Sequence, residues 1–495
     1  MSTLSSRSLF DLTNLDILHK SLVPYDDIEY ALARSAQGLK LVCMAKHDDP
    51  RCSQFSGEFS ALGEYTLLIA EMTSANAEAL RRQIPWLQPS LLDLRTSAGM
   101  GDRLGLATPG HVRAVRATGS KIAPIFAQQS IREMTRTHRT PQQVMDDALW
   151  GVFQESWRSG FGADADHLKT FDDIDRCLSA GFTFFTIDPG QSVDNRAETA
   201  DLSELRELSE ALPPSVLMES SDLLGRSVQA EGILLTFDEK TLLKAMVKYG
   251  SAIDQVAEMY HHLESSVGER RFELEVSVDE TDQPTSHAEH AYIAHELKRA
   301  GVKWVSLAPR FVGEFEKGVD YIGNLEAFEA DIAGHAAIAR KFGPYKLSLH
   351  SGSDKFSIYE IAMRQTQGLV HLKTAGTSYL EALRTIAALD EDLFREIYAF
   401  ARERYETDKA SYHVSAQLSR APLPDVVHHP ADLLDQFDAR EIMHVTFGSV
   451  LDAKGGDGNT LFYDRCMDLL KTHAEAYAAN LEKHFVRHLK PFSRE

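Results

Sequence analysis

The residues best able to do chemistry in this chain stand where short apolar runs stop. In residues 345–355, YKLSLHSGSDK, two leucines alternate with polar residues and the run ends at His350. A glycine-containing turn follows, with Asp354 and Lys355 just beyond it. The period of two predicts a buried strand, and an imidazole beside an acid and a base at a strand end is typical of a barrel active site. A core histidine bonded to a backbone carbonyl is the alternative.

A second group lies in residues 161–170, FGADADHLKT, where another apolar run gives way to a helix. It combines Asp164, Asp166 and His167. Carboxylates beside an imidazole are the usual composition of a divalent-metal site or of an acid/base site. The alternative is a helix N-cap, in which the aspartates accept hydrogen bonds from free backbone N–H groups. The adjacent Asp–His pair goes beyond what capping requires and favours the functional interpretation.

A third group lies in residues 272–285, FELEVSVDETDQPT. If the apolar side chains of this strand face surrounding helices, Glu275 and Asp279 point into the barrel. A buried carboxylate is costly unless it meets a metal, a base or a substrate. Glu280 stands just past the strand, and the pattern does not decide which of the two glutamates acts. An internal salt bridge with Lys346 or Lys373 is the alternative.

A fourth group lies in residues 368–383, GLVHLKTAGTSYLEAL, in which His371 and Lys373 share one face of a predicted strand. The turn that begins at Thr374 opens a helix, and free N–H groups at a helix N-terminus suit an anion. Lys373 and this turn, together with the Asp354–Lys355 turn, are therefore our candidates for binding an anionic substrate group. An ordinary capped helix beside a snorkelling lysine is the alternative.

A weaker signal is the HxxH pair of His287 and His290. Ser286 and Glu289 form a capping box around it, which places both histidines in the first turn of a helix. We therefore expect this pair to lie on a solvated face rather than at a metal.

From about residue 91, apolar runs alternate with amphipathic segments. Such alternation predicts a mainly parallel sheet, and about eight units predict an α/β protein built on a (β/α)8 TIM-type barrel. We expect an N-terminal cap region over residues 1–90, the barrel over 91–455 and a C-terminal helical extension over 456–495. The predicted strands cover residues 104–107, 122–127, 161–165, 182–187, 272–278, 304–307, 346–350, 369–372 and 443–447.

The composition argues against several classes of partner. The 495 residues carry a formal net charge of −21, which disfavours nucleic acid and anionic membranes. The four cysteines include no CxxC pair, as is usual in a reducing cytosol. No signal-like segment opens the chain, and no apolar run approaches the roughly 18 residues of a membrane span. We expect a cytoplasmic protein. The sequence does not decide its oligomeric state, and a homo-oligomer is one of the options.

Five motifs in a fixed order resemble the tagaturonate/fructuronate epimerase family of bacterial hexuronate catabolism. The resemblance covers roughly residues 90–460 and rests on FGADADHLKT, TFFTIDPG, EVSVDETDQPT, SLHSGSDKF and HLKTAGTSYLEAL. It implies a metal-dependent epimerase that interconverts the sugar acids D-tagaturonate and D-fructuronate.

The resemblance also implies roles for particular residues. By position, His167, His350 and His371 look like metal ligands and Asp166 looks like the catalytic base. The second acid/base, Glu275 or Glu280, stays open. Imidazole ligands suit zinc best in this role, with nickel, cobalt or manganese as alternatives, and no GxGxxG motif supports a nucleotide cofactor.

The implied reaction is compatible with these residues. The carbon to be inverted is β to the ketone, so its hydrogen is not acidified and simple enolisation cannot invert it. Retro-aldol cleavage and re-addition needs a base on the hydroxyl group and a cation at the nascent enediolate, and Asp166 with a metal would supply both. Two alternatives remain: a metal-dependent aldolase or aldose-ketose isomerase for sugar acids, and a non-catalytic sugar-acid binding protein.

Overall fold

The computed structural model describes residues 9–36, 38–119, 121–217 and 220–493. An antiparallel sheet of six strands comes first, and its alternating side chains divide between two cores. In the fourth strand, for example, Leu41 and Cys43 join the main core, whereas Val42 and Met44 pack on the opposite side of the sheet. The strands are β1 Asp16–Ile17, β2 Val23–Tyr25, β3 Ile28–Ser35, β4 Gly38–Lys46, β5 Glu58–Leu62 and β6 Tyr65–Glu71.

Eight parallel strands then close into a barrel, which confirms the predicted (β/α)8 fold. Neighbours in the barrel are neighbours in the chain, and the last strand pairs with the first. The strands are β7 Ser97–Met100, β8 Ala123–Ser130, β9 Gly162–Leu168, β10 Phe184–Ile187, β13 Glu273–Val278, β14 Ser306–Pro309, β15 Lys346–Leu349 and β16 Val370–Thr374. A separate hairpin, β11 Ser227–Ala230 and β12 Ile233–Thr236, lies between β10 and β13.

Helices surround the barrel, and the last of them lie in the predicted C-terminal extension. Among the described residues, no helix is both long and apolar enough to cross a membrane. The helices are α1 Leu9–Leu12, α2 Ser74–Gln83, α3 Thr108–Ala117, α4 Ile131–Arg136, α5 Pro141–Gln154, α6 Phe171–Ala180, α7 Leu202–Ser209, α8 Pro214–Leu217, α9 Glu239–Ser266, α10 His287–Arg299, α11 Leu325–Phe342, α12 Tyr359–Thr366, α13 Thr377–Leu389, α14 Glu391–Asp408, α15 Phe437–Val445, α16 Phe447–Asp452, α17 Tyr463–Thr472 and α18 Ala474–Leu489.

Two of the nine predicted strands are wrong. Residues 104–107 form a loop, because the carboxylate of Asp102 accepts hydrogen bonds from the N–H groups of Leu104, Gly105 and Ala107 and so removes them from any sheet. Residues 443–447 belong mostly to helix α15, whose N-terminus is capped by Gln436. The true first strand, β7, consists of the small residues Ser, Ala and Gly followed by Met, a composition that carries little strand signal.

The carboxyl ends of β7 and β16 approach each other closely at Gly101. Its N–H donates to the carbonyl of Thr374, and a Cβ at this position would stand 2.7 Å from the carbonyl oxygen of Ala375 and 2.8 Å from its Cα. These are backbone atoms, which cannot move aside as a flexible side chain can. Gly101 therefore sets the spacing of the two strand ends beside Lys373.

We predict that Gly101→Ala destabilises the protein by roughly 1–3 kcal/mol, since the added methyl overpacks a rigid contact. Gly232→Ala is the matched control, because a Cβ there meets nothing within 4 Å. Chemical unfolding of the two variants measures the difference. Equal stability of both variants would show that the strand ends separate freely.

Candidate active site

His371 belongs to a polar layer near the amino ends of the barrel strands. Its Nδ1 lies 2.9 Å from Oγ of Ser97, which also accepts a hydrogen bond from Nζ of Lys346 at 3.0 Å. His371 is fully buried, and this burial lowers its pKa to about 3. It does not line the cavity at the carboxyl ends, so the structure does not bring the three predicted ligand histidines together.

The ammonium group of Lys373 is surrounded by three carboxylates in the middle of the barrel. Nζ lies 2.6 Å from Oδ1 of Asp166, 2.8 Å from Oε1 of Glu275 and 3.0 Å from Oδ2 of Asp164. It also donates to the hydroxyl group of Thr186. Burial opposes the charge on Lys373, but the three carboxylates hold its pKa well above the ordinary value. Its ammonium is therefore committed to the protein's own acids.

Two carboxyl groups on β9 differ in their affinity for protons. Burial raises the pKa of Asp164 to about 7. Burial acts on Asp166 as well, but the adjacent His167 and Lys373 hold its pKa well below the ordinary value. Asp166 lines the cavity, whereas Asp164 is fully buried. Neighbouring acids with separated pKa values are typical of acid/base sites.

His350 at the end of β15 bridges two carboxylates of β13 and the residues after it. Its Nε2 lies 2.7 Å from Oε1 of Glu275, and its Nδ1 lies 3.1 Å from Oδ1 of Asp279. Ser277 donates to the same oxygen of Asp279 at 2.6 Å. Burial disfavours the charged imidazole, yet Asp279 and Glu275 raise the pKa of His350 to about 10. The surroundings of His350 therefore favour positive charge.

His167 faces His350 across the barrel end, with ring centroids 5.0 Å apart. It has a left-handed φ of 52°, which is uncommon outside glycine and typical of functional sites. Its Nδ1 donates to Oδ1 of Asp166 at 2.7 Å, so Nε2 carries the lone pair when the imidazole is neutral. Burial opposes charge on this ring, but Asp166 raises the pKa of His167 above its ordinary value. One ligand atom each from His167, His350 and Asp279 lie within 4.8 Å of one another.

A cavity of about 430 Å³ opens onto this group. Its floor includes Asp166, His167, His350 and Lys373, and its walls come from loops beyond the strands and from parts of α4 and α15. The wall residues include Arg103, Arg132, Asp279, Glu280, Arg310, Phe311, Lys317, Ser353, Tyr412 and His444. A polar cavity of this size at the carboxyl ends of barrel strands is the usual position of an active site on this fold.

Three of the predicted substrate-binding residues do not line the cavity. Asp354 pairs with Arg440 at 2.8 Å and with His484 of α18 at 2.6 Å. Lys355 is buried and donates to backbone carbonyl oxygens of the loop before α11. Thr374 donates to the carbonyl oxygen of Gly99. Their polar groups hold the strand ends and the C-terminal helix in place, which a local sequence pattern does not distinguish from ligand binding.

The two candidate glutamates occupy different environments. Glu280 lines the cavity, and its side chain is 45% exposed. Glu275 is fully buried and accepts hydrogen bonds from Ser306, His350 and Lys373. The carboxylate of Glu275 therefore balances the positive charges of His350 and Lys373, whereas Glu280 is the candidate glutamate that faces the cavity.

Sequence reasoning missed two cations of the cavity wall, Lys317 and Arg132. Neither makes an ion pair with an acid within 4 Å among the described residues, and Nζ of Lys317 donates to the hydroxyl of Ser351. Lys317 comes from the loop before α11 and Arg132 from the first turn of α4, and neither segment has a strand pattern, so their proximity to the site had no local signal. The sequence predicted that Asp279 faces inward. It did not show that Asp279 lies beside His167, because that proximity arises only when the barrel closes.

Comparisons with known proteins identify the family. A family model described as tagaturonate epimerase matches residues 18–492. The tagaturonate/fructuronate epimerase of Thermotoga maritima is 41% identical over 478 residues, which is 96% of either chain. The native crystal structure of fructuronate-tagaturonate epimerase from Cohnella laeviribosi has a TM-score of 0.91 at 38% identity, over 97% of this chain and 96% of that chain.

The chain belongs to the tagaturonate epimerase family. This confirms the resemblance drawn from its motifs, and it makes the protein an isomerase that acts as a carbohydrate epimerase. A second crystal structure from Cohnella laeviribosi, in complex with glycerol, matches equally well with a TM-score of 0.91.

The epimerase's donor set fits a divalent metal. Asp166 fixes the tautomer of His167 in the form that leaves Nε2 free for a metal, as acceptors behind metal-bound histidines usually do. Three acids, Asp164, Asp166 and Glu275, surround Lys373, and a fourth, Asp279, lies beside His350, so the group offers negative charge to a metal ion. The residues suited to hold the metal are His167, His350 and Asp279.

We predict that Lys373→Met destabilises the epimerase by about 3–5 kcal/mol at neutral pH, because it leaves buried carboxylates without their cation. The pKa values of Asp166 and Glu275 lie below those of the unfolded chain, so the wild-type protein loses this stability as pH falls. In the variant those pKa values rise, and the difference between the two proteins shrinks at acidic pH.

Lys346→Met is the matched control. Lys346 is as deeply buried, but its ammonium bonds the hydroxyl of Ser97 and burial lowers its pKa to about 8. We expect this variant to lose only about 1–2 kcal/mol. Chemical unfolding of EDTA-treated protein at several pH values measures both. A Lys373→Met variant as stable as Lys346→Met would contradict the charge assignment.

Proposed function

We propose that the protein interconverts D-tagaturonate and D-fructuronate in the cavity at the carboxyl end of the barrel. The observation that carries the proposal is a group of residues that together line the cavity: Asp166, Lys373 and the candidate metal ligands His167, His350 and Asp279. Family membership supplies the reaction, and this group supplies the acid/base and charge chemistry that the reaction requires.

We further propose that the metal site uses Asp279 in the position that the sequence assigned to His371. Two imidazoles and a carboxylate bind zinc, nickel, cobalt or manganese. His371 is left out of this set and bonds Ser97 in the layer below. When bound, the metal would supply a Lewis acid for the ketone oxygen and for the charge that develops on it.

We assign the binding of the substrate carboxylate to Lys317 and Arg132 rather than to Lys373. The ammonium of Lys373 is already shared by three acids. Lys317 and Arg132 line the cavity wall, and no acid lies within ion-pair distance of either among the described residues. A carboxylate gains charge-assisted hydrogen bonds from such cations that a neutral hydroxymethyl group does not.

Asp166 is assigned as the base. Its Oδ1 is held by His167 and Lys373, while Oδ2 accepts, from the residues that the structure describes, only a long hydrogen bond from Gln128 at 3.4 Å. Because the carboxylate stays ionised, it can take the proton from the hydroxyl on the carbon that is inverted. The bond between that carbon and its neighbour next to the ketone then breaks, which leaves an aldehyde and an enediolate.

The aldehyde turns, and the enediolate adds to its opposite face. Lys373 lies beside Asp166 and balances negative charge on the reacting oxygens during both steps. We assign protonation of the new hydroxyl group to Glu280, since it is the candidate glutamate that lines the cavity. Glu280 takes this proton from solvent, and Asp166 releases the proton it accepted to solvent, which restores both groups. Product then differs from substrate at one carbon only.

The proposal is tested by incubating metal-loaded protein with D-fructuronate and following the products by NMR. We expect D-tagaturonate at equilibrium with D-fructuronate. Accumulation of three-carbon fragments would identify an aldolase instead. Formation of the aldose form of the hexuronate would identify an aldose-ketose isomerase. Either result would overturn the epimerase assignment.

We predict that Lys317→Met lowers kcat/KM for D-fructuronate about 10- to 100-fold, because a hydrogen bond to a charged group contributes about 1.5–3 kcal/mol. Its activity on the neutral ketohexose D-fructose should be unchanged. Lys303→Met is the control, since that lysine is 84% exposed. Equal losses on both sugars would remove the assignment of Lys317 to the carboxylate.

We predict that Asp166→Asn lowers kcat about a hundredfold or more, the usual size of a general-base effect. The amide keeps an oxygen to accept from His167, so metal content should be unchanged. Asp172→Asn, an exposed change on α6, is the control. Elemental analysis and steady-state kinetics measure both quantities, and a variant with full activity would exclude Asp166 as the base.

The cleavage route also makes an isotopic prediction. The hydrogen on the inverted carbon stays on that carbon throughout, so reaction in heavy water should leave it unexchanged. NMR of the product measures the deuterium content at that position. Stoichiometric deuterium there would exclude retro-aldol chemistry and indicate direct removal of the C–H proton.

A further inference from the structure

A second cluster of metal-binding side chains lies outside the barrel, between α10 and α11. Helix α10 contributes His287 and His290, and α11 contributes Asp331 and His335. The sequence predicted a solvated HxxH pair, but His290 and His335 are fully buried and Asp331 is mostly buried. His287 is partly exposed at 28%, so the cluster is buried on one side and open to solvent on the other.

The distances in this cluster match those between ligands of a tetrahedral metal. Oδ1 of Asp331 lies 3.6 Å from Nε2 of His287 and 3.5 Å from Nε2 of His335. Ligand atoms about 2.0–2.1 Å from a tetrahedral zinc ion are about 3.4 Å apart. Atoms of all three residues lie within 4.8 Å of one another.

One buried nitrogen in the cluster makes no hydrogen bond to any described residue, although an acid stands 3.5 Å away. Nε2 of His335 makes no hydrogen bond within the part of the chain that the structure describes. Its other nitrogen, Nδ1, lies 2.9 Å from Nδ1 of His290, whose Nε2 lies 2.8 Å from the hydroxyl of Tyr345. This chain can fix His335 with its proton on Nδ1 and its lone pair on Nε2, which is how outer hydrogen bonds orient metal-bound histidines.

The backbone of α11 makes room for the cluster. Gly334 stands in the middle of the helix, where glycine costs roughly 0.5–1 kcal/mol relative to alanine. A Cβ on Gly334 would stand 2.2 Å from the ring of His287. The missing side chain thus allows the imidazole to lie against α11, next to Asp331 and His335.

We propose that His287, Asp331 and His335 bind a second divalent transition metal, of the class of zinc, cobalt or nickel. Before the metal binds, Nε2 of His287 donates to the carbonyl oxygen of Asp331 at 3.0 Å. Metal binding exchanges this hydrogen bond for a metal–nitrogen bond and moves the imidazole proton to Nδ1. Two histidines and one carboxylate leave a fourth position for water.

The second metal fixes part of the cavity wall. Oδ2 of Asp331 accepts a hydrogen bond from the N–H of Val312 at 3.0 Å. The preceding residues, Arg310 and Phe311, line the cavity, and the ring of Phe311 packs against His335. A metal on Asp331 therefore connects α10, α11 and the loop after β14 in one rigid group.

Metal content measured on full-length variants tests the proposal. EDTA-treated protein is dialysed against low-micromolar zinc, and bound zinc is counted by elemental analysis. We expect His287→Gln and His335→Gln to hold one zinc ion per chain fewer than the wild-type protein. His295→Gln, which changes a histidine elsewhere on α10, should hold as many as the wild-type protein.

Thermal unfolding separates this site from the one in the barrel. Zinc should raise the Tm of His350→Gln, in which the barrel site is impaired, through the site between the helices. It should raise the Tm of the double variant with His287→Gln much less. Because His287 is partly exposed, its variant should fold even if His335→Gln does not. Unchanged zinc content in His287→Gln, or an equal Tm shift in the single and double variants, would overturn the proposal.

Discussion

The buried ammonium group of Lys373 is the interaction on which the rest of the site depends. An isolated charge in a barrel interior is strongly disfavoured, and three buried carboxylates without a cation would be disfavoured too. Together, Lys373, Asp164, Asp166 and Glu275 form a network that is stable only if β9, β13 and β16 keep their register. The same network keeps Asp166 ionised and orients His167, so the charge balance that stabilises the barrel also provides the ionised carboxylate that the proposed reaction requires.

The C-terminal extension contributes to this arrangement from outside the barrel. Asp354, just beyond His350, pairs with Arg440 of α15 and with His484 of α18, and its N–H donates to His488. Asp354 has a left-handed φ of 62°, which the surrounding contacts maintain. The turn that positions His350 is therefore fixed by helices that are distant in sequence, and the last helix belongs to the same cooperative unit as the active site.

The sequence predicted the barrel and most of its strands because the alternation of apolar and polar residues is local. It missed β7, whose small residues match no strand pattern, and it took residues 443–447 for a strand although Gln436 begins a helix there. It identified the strands that carry the site residues, but not how far along the barrel axis each side chain lies. His371 and Lys373 are two residues apart on one face, yet only Lys373 reaches the cavity. That difference depends on strand stagger, which arises only when the barrel closes.

The central claim is that this barrel holds a divalent metal between His167, His350 and Asp279. Anomalous diffraction from a crystal of zinc-loaded protein, recorded on both sides of the zinc absorption edge, tests it most directly. We expect a peak in the cavity within bonding distance of those three residues. A peak bonded to His371 in place of Asp279, or no peak at the barrel end in a crystal of active enzyme, would contradict it.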